Sequence, residues 1–217
     1  MHYVLVFLLS WAACCTAMAG AAGYAFSDDP ASGASVEHPL WAQVLARDAR
    51  QSATLSACLA DQRVCDRHLR GWQRIVHRAE GLNPHAQLVL INRFMNKRRY
   101  VDDAIDPGTG VGVWNTLNDF LRDGGDCEDF AIAKYFTLRR LGFAAEDMRI
   151  VVAFDRHARD FHALLAVNLD GHAWFLENDN TILRGGELRP YAFSYAVNED
   201  FWWDHDNDAV SRRYDRD

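Results

Sequence analysis

The chain has 217 residues, of which 49% are hydrophobic, 24% charged and 12% aromatic, a composition that excludes a disordered or fibrous protein and fits one globular domain with a short extension. With 23 basic against 30 acidic residues the net charge is -7 at pH 7, which argues against a nucleic-acid binder, whose affinity comes from neutralising phosphates. A chain of this length buries a sizeable core without needing disulfides to hold it.

Tyr3 to Ala19 is apolar, lacks Asp, Glu, Lys and Arg, and ends in Ala17-Met18-Ala19, the small-x-small pattern that signal peptidase accepts. Residues 1–19 therefore read as a secretory signal peptide. The segment before the apolar run carries only His2, and the run continues through Ala22, so an uncleaved membrane anchor stays as the alternative. Residues 20–37, rich in Gly, Ala, Ser and Asp with Pro30, read as a flexible lead-in. The folded domain is expected over residues 38–210, followed by a mixed-charge tail at 211–217.

From Pro39 to Gly81 apolar residues recur at helical spacing, Leu40, Val44 and Leu45, then Leu69, Trp72, Ile75 and Val76, which predicts two helices. Asn83-Pro84 opens a third, with Leu88, Ile91 and Met95 on one face. The stretch Asn96 to Val113, with Asp102, Asp103 and Asp106-Pro107-Gly108, is a loop. Helix returns at Trp114 to Leu121, stops at Gly124-Gly125, and resumes from Asp126 to Leu141 before Gly142. Three short runs rich in β-branched and aromatic residues follow, Arg149 to Phe154, His162 to Asn168 and His172 to Asn178, the last two joined by the hairpin signal Asp170-Gly171. A further strand is expected at Phe193 to Trp203. Helices first and antiparallel strands second indicate an α+β domain, with N-terminal helices packed on an antiparallel sheet.

Of five cysteines, Cys14 and Cys15 fall in the signal segment, leaving Cys58, Cys65 and Cys127. On an unbroken helix Cys58 and Cys65 would stand about 10.5 Å apart, too far for a disulfide. A break near Asp61-Gln62 would bring the two thiols together and leave Cys127 as the free one; without it they are two core cysteines. Export to an oxidising compartment favours the pair.

The densest chemical signal is Gly124-Gly125-Asp126-Cys127-Glu128-Asp129-Phe130-Ala131. A cysteine in the first turn of a helix meets unsatisfied N–H groups and the positive end of the helix dipole, which favour the thiolate. Preceding glycines permit a close approach by substrate. A nucleophilic thiol needs a base, and the base an orienting acceptor; His162 opens the second expected strand and Asp179 follows the third, so the hairpin is expected to set them side by side. His157, in a polar turn, and His172, beside the hairpin tip, are the competing bases. Trp114 reads as core packing and Trp202-Trp203 as a cap on the sheet.

The stretch Trp114 to Gly142, centred on Gly125-Asp126-Cys127-Glu128-Asp129-Phe130-Ala131 and ending Leu138-Arg139-Arg140-Leu141-Gly142, resembles the bacterial transglutaminase-like cysteine proteinases, the family of the periplasmic LapG-type adhesin proteases. The resemblance extends to Asn92, Asn96, Tyr100 and Asp103 upstream, and downstream to His162-Ala163-Leu164-Leu165, Glu177-Asn178-Asp179-Asn180 and Tyr191 through Trp203. It implies a papain-like or transglutaminase-like fold and a catalytic triad of Cys127, His162 and Asp179. Where the family usually has a Leu-Asp-Asn triplet, this chain has Glu177-Asn178-Asp179-Asn180, and Asp179, followed by Asn180, is the expected acid.

Asp126, Glu128 and Asp129 place three negative charges beside a thiol that must ionise, and like charges raise its pKa. A hard cation would offset them, and Ca²⁺ takes clustered oxygen ligands. This agrees with the calcium dependence that the resemblance implies, with Asp126, Glu128 and Asp129 as ligands and a side chain from Asn92 or Asn96 completing the shell; the alternative is a solvated acidic helix start. The resemblance further implies a large surface adhesin as substrate, cut near its N-terminus in the periplasm, and an inner-membrane cyclic-di-GMP receptor as partner. The same acyl-thioester chemistry serves a transglutaminase or an amidase, and a catalytically silent binding module is the reading from another class.

Overall fold

The computed structural model describes residues 24, 26, 31–103, 112–185, 188 and 190–205. The signal segment with Cys14 and Cys15, the Asp106-Pro107-Gly108 turn and the tail at 211–217 lie outside the described residues. No helix among the described residues is long and apolar enough to cross a membrane.

Five α-helices precede most of the sheet. α1 spans Pro39–Ala60, with proline at its start and the His38 ring accepting the Trp41 N–H. It ends where Asp61 turns extended and accepts the Arg63 N–H, opening a single 3₁₀ turn over Gln62–Val64. That reversal is the break foreseen from the cysteine spacing: it brings the Cα atoms of Cys58 and Cys65 to 4.5 Å, and the two are joined in a disulfide. α2 follows at Arg70–Glu80 and α3 at Pro84–Met95, where the Asn83 side chain caps the Ala86 N–H and Leu88, Ile91 and Met95 are buried. α4 occupies Leu117–Asp123, three residues later than the expected start at Trp114, because Thr116 takes the cap position and its hydroxyl accepts the Asp119 N–H. α5, Cys127–Arg140, is buried on every side from Asp129 to Leu138, held between the other helices and the sheet.

The seven strands are β1 (Gly33–Ala34), β2 (Met148–Asp155), β3 (Asp160–Leu169), β4 (His172–Leu176), β5 (Ile182–Arg184), β6 (Tyr191–Val197) and β7 (Phe201–Asp204), in the order β1-β7-β6-β2-β3-β4-β5. Every pairing is antiparallel. Side chains alternate between the faces: Ile150, Leu165, Val167, Leu176 and Val197 pack on the helices, while Val151, Leu164, Ala166, Phe175 and Ala196 form a second cluster with Tyr24 and Leu188.

Three sequence expectations change. The lead-in is not wholly outside the fold: β1 pairs with β7, Ser35 is buried, and the ring of Tyr24 packs edge-on against Phe175 and Phe193. The reason is the second sheet face, whose apolar side chains need a cover that the helices, all on the other side, cannot supply. The single strand expected at Phe193 to Trp203 is two, split where the Asn198 side chain accepts the N–H groups of Asp200 and Phe201. β5 was hidden in a run of only three residues, Ile182–Arg184. Trp202 and Trp203, adjacent on β7, face opposite ways; Trp203 is buried against the Arg149 guanidinium, 3.8 Å from its ring centroid.

Replacing both Cys58 and Cys65 by serine opens a loop with a sequence separation of 7, and should lower unfolding stability by about 2–3 kcal/mol. Urea unfolding without reductant measures it; a variant as stable as the parent would mean the bridge is not formed in solution.

Candidate active site

The site is assembled at the start of α5. Gly124 has φ 86°, a left-handed conformation that favours glycine, and a side chain there would also strike the Arg99 carbonyl. A Cβ on Gly125 would run into the Asp129 carboxylate. The two glycines thus make room for the chain's own atoms, where sequence suggested room for substrate. Arg99 to Val101 runs alongside: the Val101 N–H donates to the Gly125 carbonyl at 2.9 Å and the Gly125 N–H to the Arg99 carbonyl at 3.3 Å. Asp126 is the cap residue, in extended conformation and without a side-chain capping bond, and Cys127 is the first helical residue.

Cys127 is the free thiol among the described cysteines and is half-buried. Its Sγ donates to Glu128 Oε2 at 3.2 Å and meets the backbone N–H of Ala163. Burial first, then the Glu128 charge and hydrogen bond, push the thiol pKa well up, against a smaller opposite pull from the Ala163 N–H. Burial and these carboxylates together favour the protonated thiol.

Ala163 follows His162, so the thiol and the imidazole flank one peptide unit of β3. Among the described residues no hydrogen bond joins Cys127 Sγ to His162; such bonds are often long before substrate binds. The His162 Nε2 is 2.7 Å from Glu177 Oε2, which leaves Nδ1 as the ring nitrogen for the thiol. The acid expected from sequence, Asp179, is placed differently. β4 stops at Leu176, and Asp179 Oδ1 accepts the Thr181 N–H at 2.8 Å inside the turn to β5, with Asn180 at φ 79°. Asp179 lines the same cavity as His162, but the hydrogen bond to the imidazole belongs to Glu177. A signal for this stands in the chain: Leu176-Glu177-Asn178 reproduces the order Leu-acid-Asn with Glu for Asp.

Glu177 is 5% exposed and held at both ends. Tyr191 Oη donates to its Oε1 at 2.7 Å, while Lys134 Nζ and Asn96 Nδ2 both donate to its main-chain carbonyl at 2.8 Å. Asn92 Nδ2 donates to the Thr181 carbonyl at 3.1 Å. Asn92 and Asn96, expected near a cation, therefore fasten the turn after β4 instead. Lys134, fully buried on α5, has its amine pKa pushed down to about 7 by burial, with the Glu177 and Asp179 charges opposing. Neither residue carries a chemical signal of its own in the sequence, Lys134 lying in the run of α5 and Tyr191 at the start of β6, until the fold places Glu177 between them.

The acidic residues form two overlapping groups. Ligand atoms of Asp126, Cys127 and Glu128 lie within 4.8 Å of one another, and so do those of Asp103, Asp126 and Asp129. Asp126 is common to both, and Asp103 joins the three carboxylates expected from sequence. Asp129 is buried and bonded through Oδ1 to the Asn115 N–H at 2.6 Å and through Oδ2 to Asn115 Nδ2 at 2.7 Å. Burial, with Glu128 adding to it, raises the Asp126 pKa to about 7; burial, opposed by Asn115, raises that of Asp129 to about 7. Two oxygens here, Asp103 Oδ2 and Asp126 Oδ1, are buried without a partner. Buried acceptors facing each other, short of donors and rich in negative charge, are the donor set that a hard divalent cation requires.

The competing histidines are accounted for: His157 and His172 are exposed. Trp114 is buried against Trp41 and His38, as core packing.

Comparison with known proteins agrees with this geometry. The model of the family described as bacterial transglutaminase-like cysteine proteinase matches residues 52–207. Among solved structures, Legionella pneumophila LapG in a calcium-bound form is similar at 26% identity and TM-score 0.56, over 68% of this chain and 89% of that one. A second Legionella pneumophila LapG structure is similar at 25% identity and TM-score 0.59, over 75% and 94%. An EGTA-treated LapG shares the fold, at 24% identity and TM-score 0.59, over 72% and 88%. No curated protein matches. With its thiol at the head of a buried helix, its histidine on the adjoining sheet and a family match over more than half its length, the chain belongs to the bacterial transglutaminase-like cysteine proteinases.

Proposed function

We propose that the protein is a calcium-dependent cysteine endopeptidase in which Cys127 is the nucleophile, His162 the base and Glu177 the orienting acid. The observation that carries this reading is the thiol lying against the Ala163 N–H while the neighbouring His162 is bonded to Glu177. His162 Nδ1 takes the thiol proton as Sγ attacks the scissile carbonyl, and then returns it to the leaving amine. Water, deprotonated by the same nitrogen, hydrolyses the thioester. Glu177 holds the ring with Nδ1 facing the thiol and stabilises the imidazolium, as the acid of a triad does.

Ca²⁺ would be held by Asp126 and Glu128, with Asp129 and Asp103 close by, and would supply positive charge that offsets the carboxylates raising the thiol pKa. The calcium-bound LapG, 26% identical, supports this assignment. On the family resemblance, the substrate is a large surface adhesin cut near its N-terminus. The enzyme would reach the periplasm through the segment at 1–19 and be sequestered there by an inner-membrane cyclic-di-GMP receptor.

Cys127→Ala should lower cleavage by at least about 10³-fold with little change in melting temperature; appreciable turnover by that variant contradicts the mechanism. Glu177→Gln should cost on the order of 10⁴-fold in kcat, while Asp179→Asn stays close to the parent. The reverse ranking would return the acid role to Asp179.

EGTA should stop cleavage and Ca²⁺ restore it, with Mg²⁺ at the same concentration doing little. A pH effect accompanies this. Folding raises Asp126 and Asp129 from 3.8 to about 7, so between those values the native state binds more protons than the unfolded one. Stability of the metal-free protein contributed by these groups is then present below pH 4, falls as pH rises to 7, and levels off above. Melting curves in EGTA at pH 5 and pH 8 should differ accordingly, and Asp126→Asn should flatten the difference. Added Ca²⁺ should raise the melting temperature more at pH 8, where it competes with no protons; equal responses at both pH values would place the ion elsewhere.

A further inference from the structure

Glu177 makes five hydrogen bonds, two at its carbonyl, one at its N–H and one at each carboxylate oxygen, and they divide its freedom between them. Its carbonyl is fixed by Lys134 Nζ and Asn96 Nδ2, and its N–H donates to the Thr181 carbonyl at 3.1 Å, so the main chain cannot shift. What remains free is rotation of the side chain, and this decides where Oε2 meets His162. Among the described residues, the group that fixes it from the other side is Tyr191, whose hydroxyl donates to Oε1 at 2.7 Å. The same side chain touches the base: the Tyr191 and His162 rings stack with centroids 6.1 Å apart and planes 27° from parallel. Tyr191 is itself anchored as the first residue of β6, opposite Asp155, with its N–H donating to the Leu188 carbonyl at 3.0 Å. Tyr191, His162 and Glu177 line one cavity of about 480 Å³, so the arrangement borders open space and is not sealed in the core.

We propose that Tyr191 is a positioning residue of the proteinase, its hydroxyl locking the rotation of Glu177 and its ring the tilt of the His162 imidazole. The proposal rests on the triad reading above and goes beyond it, since it assigns the geometry of the base to a residue that touches neither the thiol nor the scissile bond. Burial and the adjoining Glu177 carboxylate push the phenol pKa well up, so Tyr191 is a neutral donor throughout the working range. A carboxylate bonded on both oxygens breaks two bonds when it turns away from the imidazole; bonded to the imidazole alone, it breaks only one.

Tyr191→Phe keeps the ring and removes the donor. It should lower kcat roughly 10-fold, as expected for losing one hydrogen bond to a charged group, with KM within about two-fold of the parent. In the Glu177→Gln background the same substitution should cost nothing further, because the two residues act through one bond. Alkylation of Cys127 by iodoacetamide, which needs no substrate, should slow in parallel. Unchanged kcat in Tyr191→Phe, or losses that multiply in the double variant, overturn the proposal, as does a rise in KM at constant kcat, which would make Tyr191 a substrate contact. The two readings separate cleanly. If the parent cleaves no protein yet its thiol alkylates fast and Tyr191→Phe slows it, the endopeptidase reading fails and the positioning role stands; if the parent thiol is inert, both fall.

Discussion

The constraint on which this molecule turns is the negative charge packed around the start of α5. Asp126 and Glu128 gather at the Cys127 thiol, Asp103 and Asp129 gather at Asp126, and two of these oxygens are buried without a donor. The helix dipole relieves part of this within the first turn, and Asn115 satisfies Asp129 with both its backbone and side-chain N–H. These bonds also organise the surroundings. Asn115 ties the approach to α4 onto α5, the Asp103 N–H bonds Asp126, and the ladder between Arg99 to Val101 and Gly125 closes the third side. Three chain segments distant in sequence are thus drawn together by carboxylates, and a cation seated among those carboxylates would act on fold and chemistry at once.

Much of the scaffold was legible because its signals are local. Proline at the first turn after Asn83, the reversal at Asp61 and the glycine after Leu141 mark helix ends by backbone chemistry alone. The cysteine spacing carried its own condition, a helix break, and the break is there. What stayed hidden depends on distant partners. A two-residue strand at Gly33–Ala34 has no pattern of its own and exists because β7 offers it an edge. Tyr24 and Phe26 look like stray aromatics in a polar lead-in until the uncovered face of the sheet is known.

The carboxylate bonded to His162 shows the same division in sharper form. Glu177 and Asp179 stand two residues apart, one on either side of an asparagine, and either fits a triad by spacing. The choice is made by where β4 ends. Beyond Leu176 the chain bends under bonds from Asn92 and Lys134 on helices and from Asn96 at the end of α3, and the bend gives Asp179 a backbone N–H to satisfy. A motif names the residue types; here the helix layer selects which carboxylate reaches the imidazole.

The hairpin between β3 and β4 is as short as a hairpin can be, with Asp170 at φ 54° and Gly171 at φ 72°, both central residues left-handed as a type I′ turn demands. Such a turn fixes the pairing of every residue behind it, so Leu169 faces His172 and Leu165 faces Leu176. Glu177 inherits its side of the sheet from that count. Slipping the pairing by one residue would rotate it toward the helices and present Asn178 to the imidazole in its place. The tip of this hairpin, at the opposite end of the strands from the thiol, therefore behaves as the parity bit of the catalytic apparatus: the loop there is free to vary in length or composition only in ways that leave the odd-even phase of β4 unchanged.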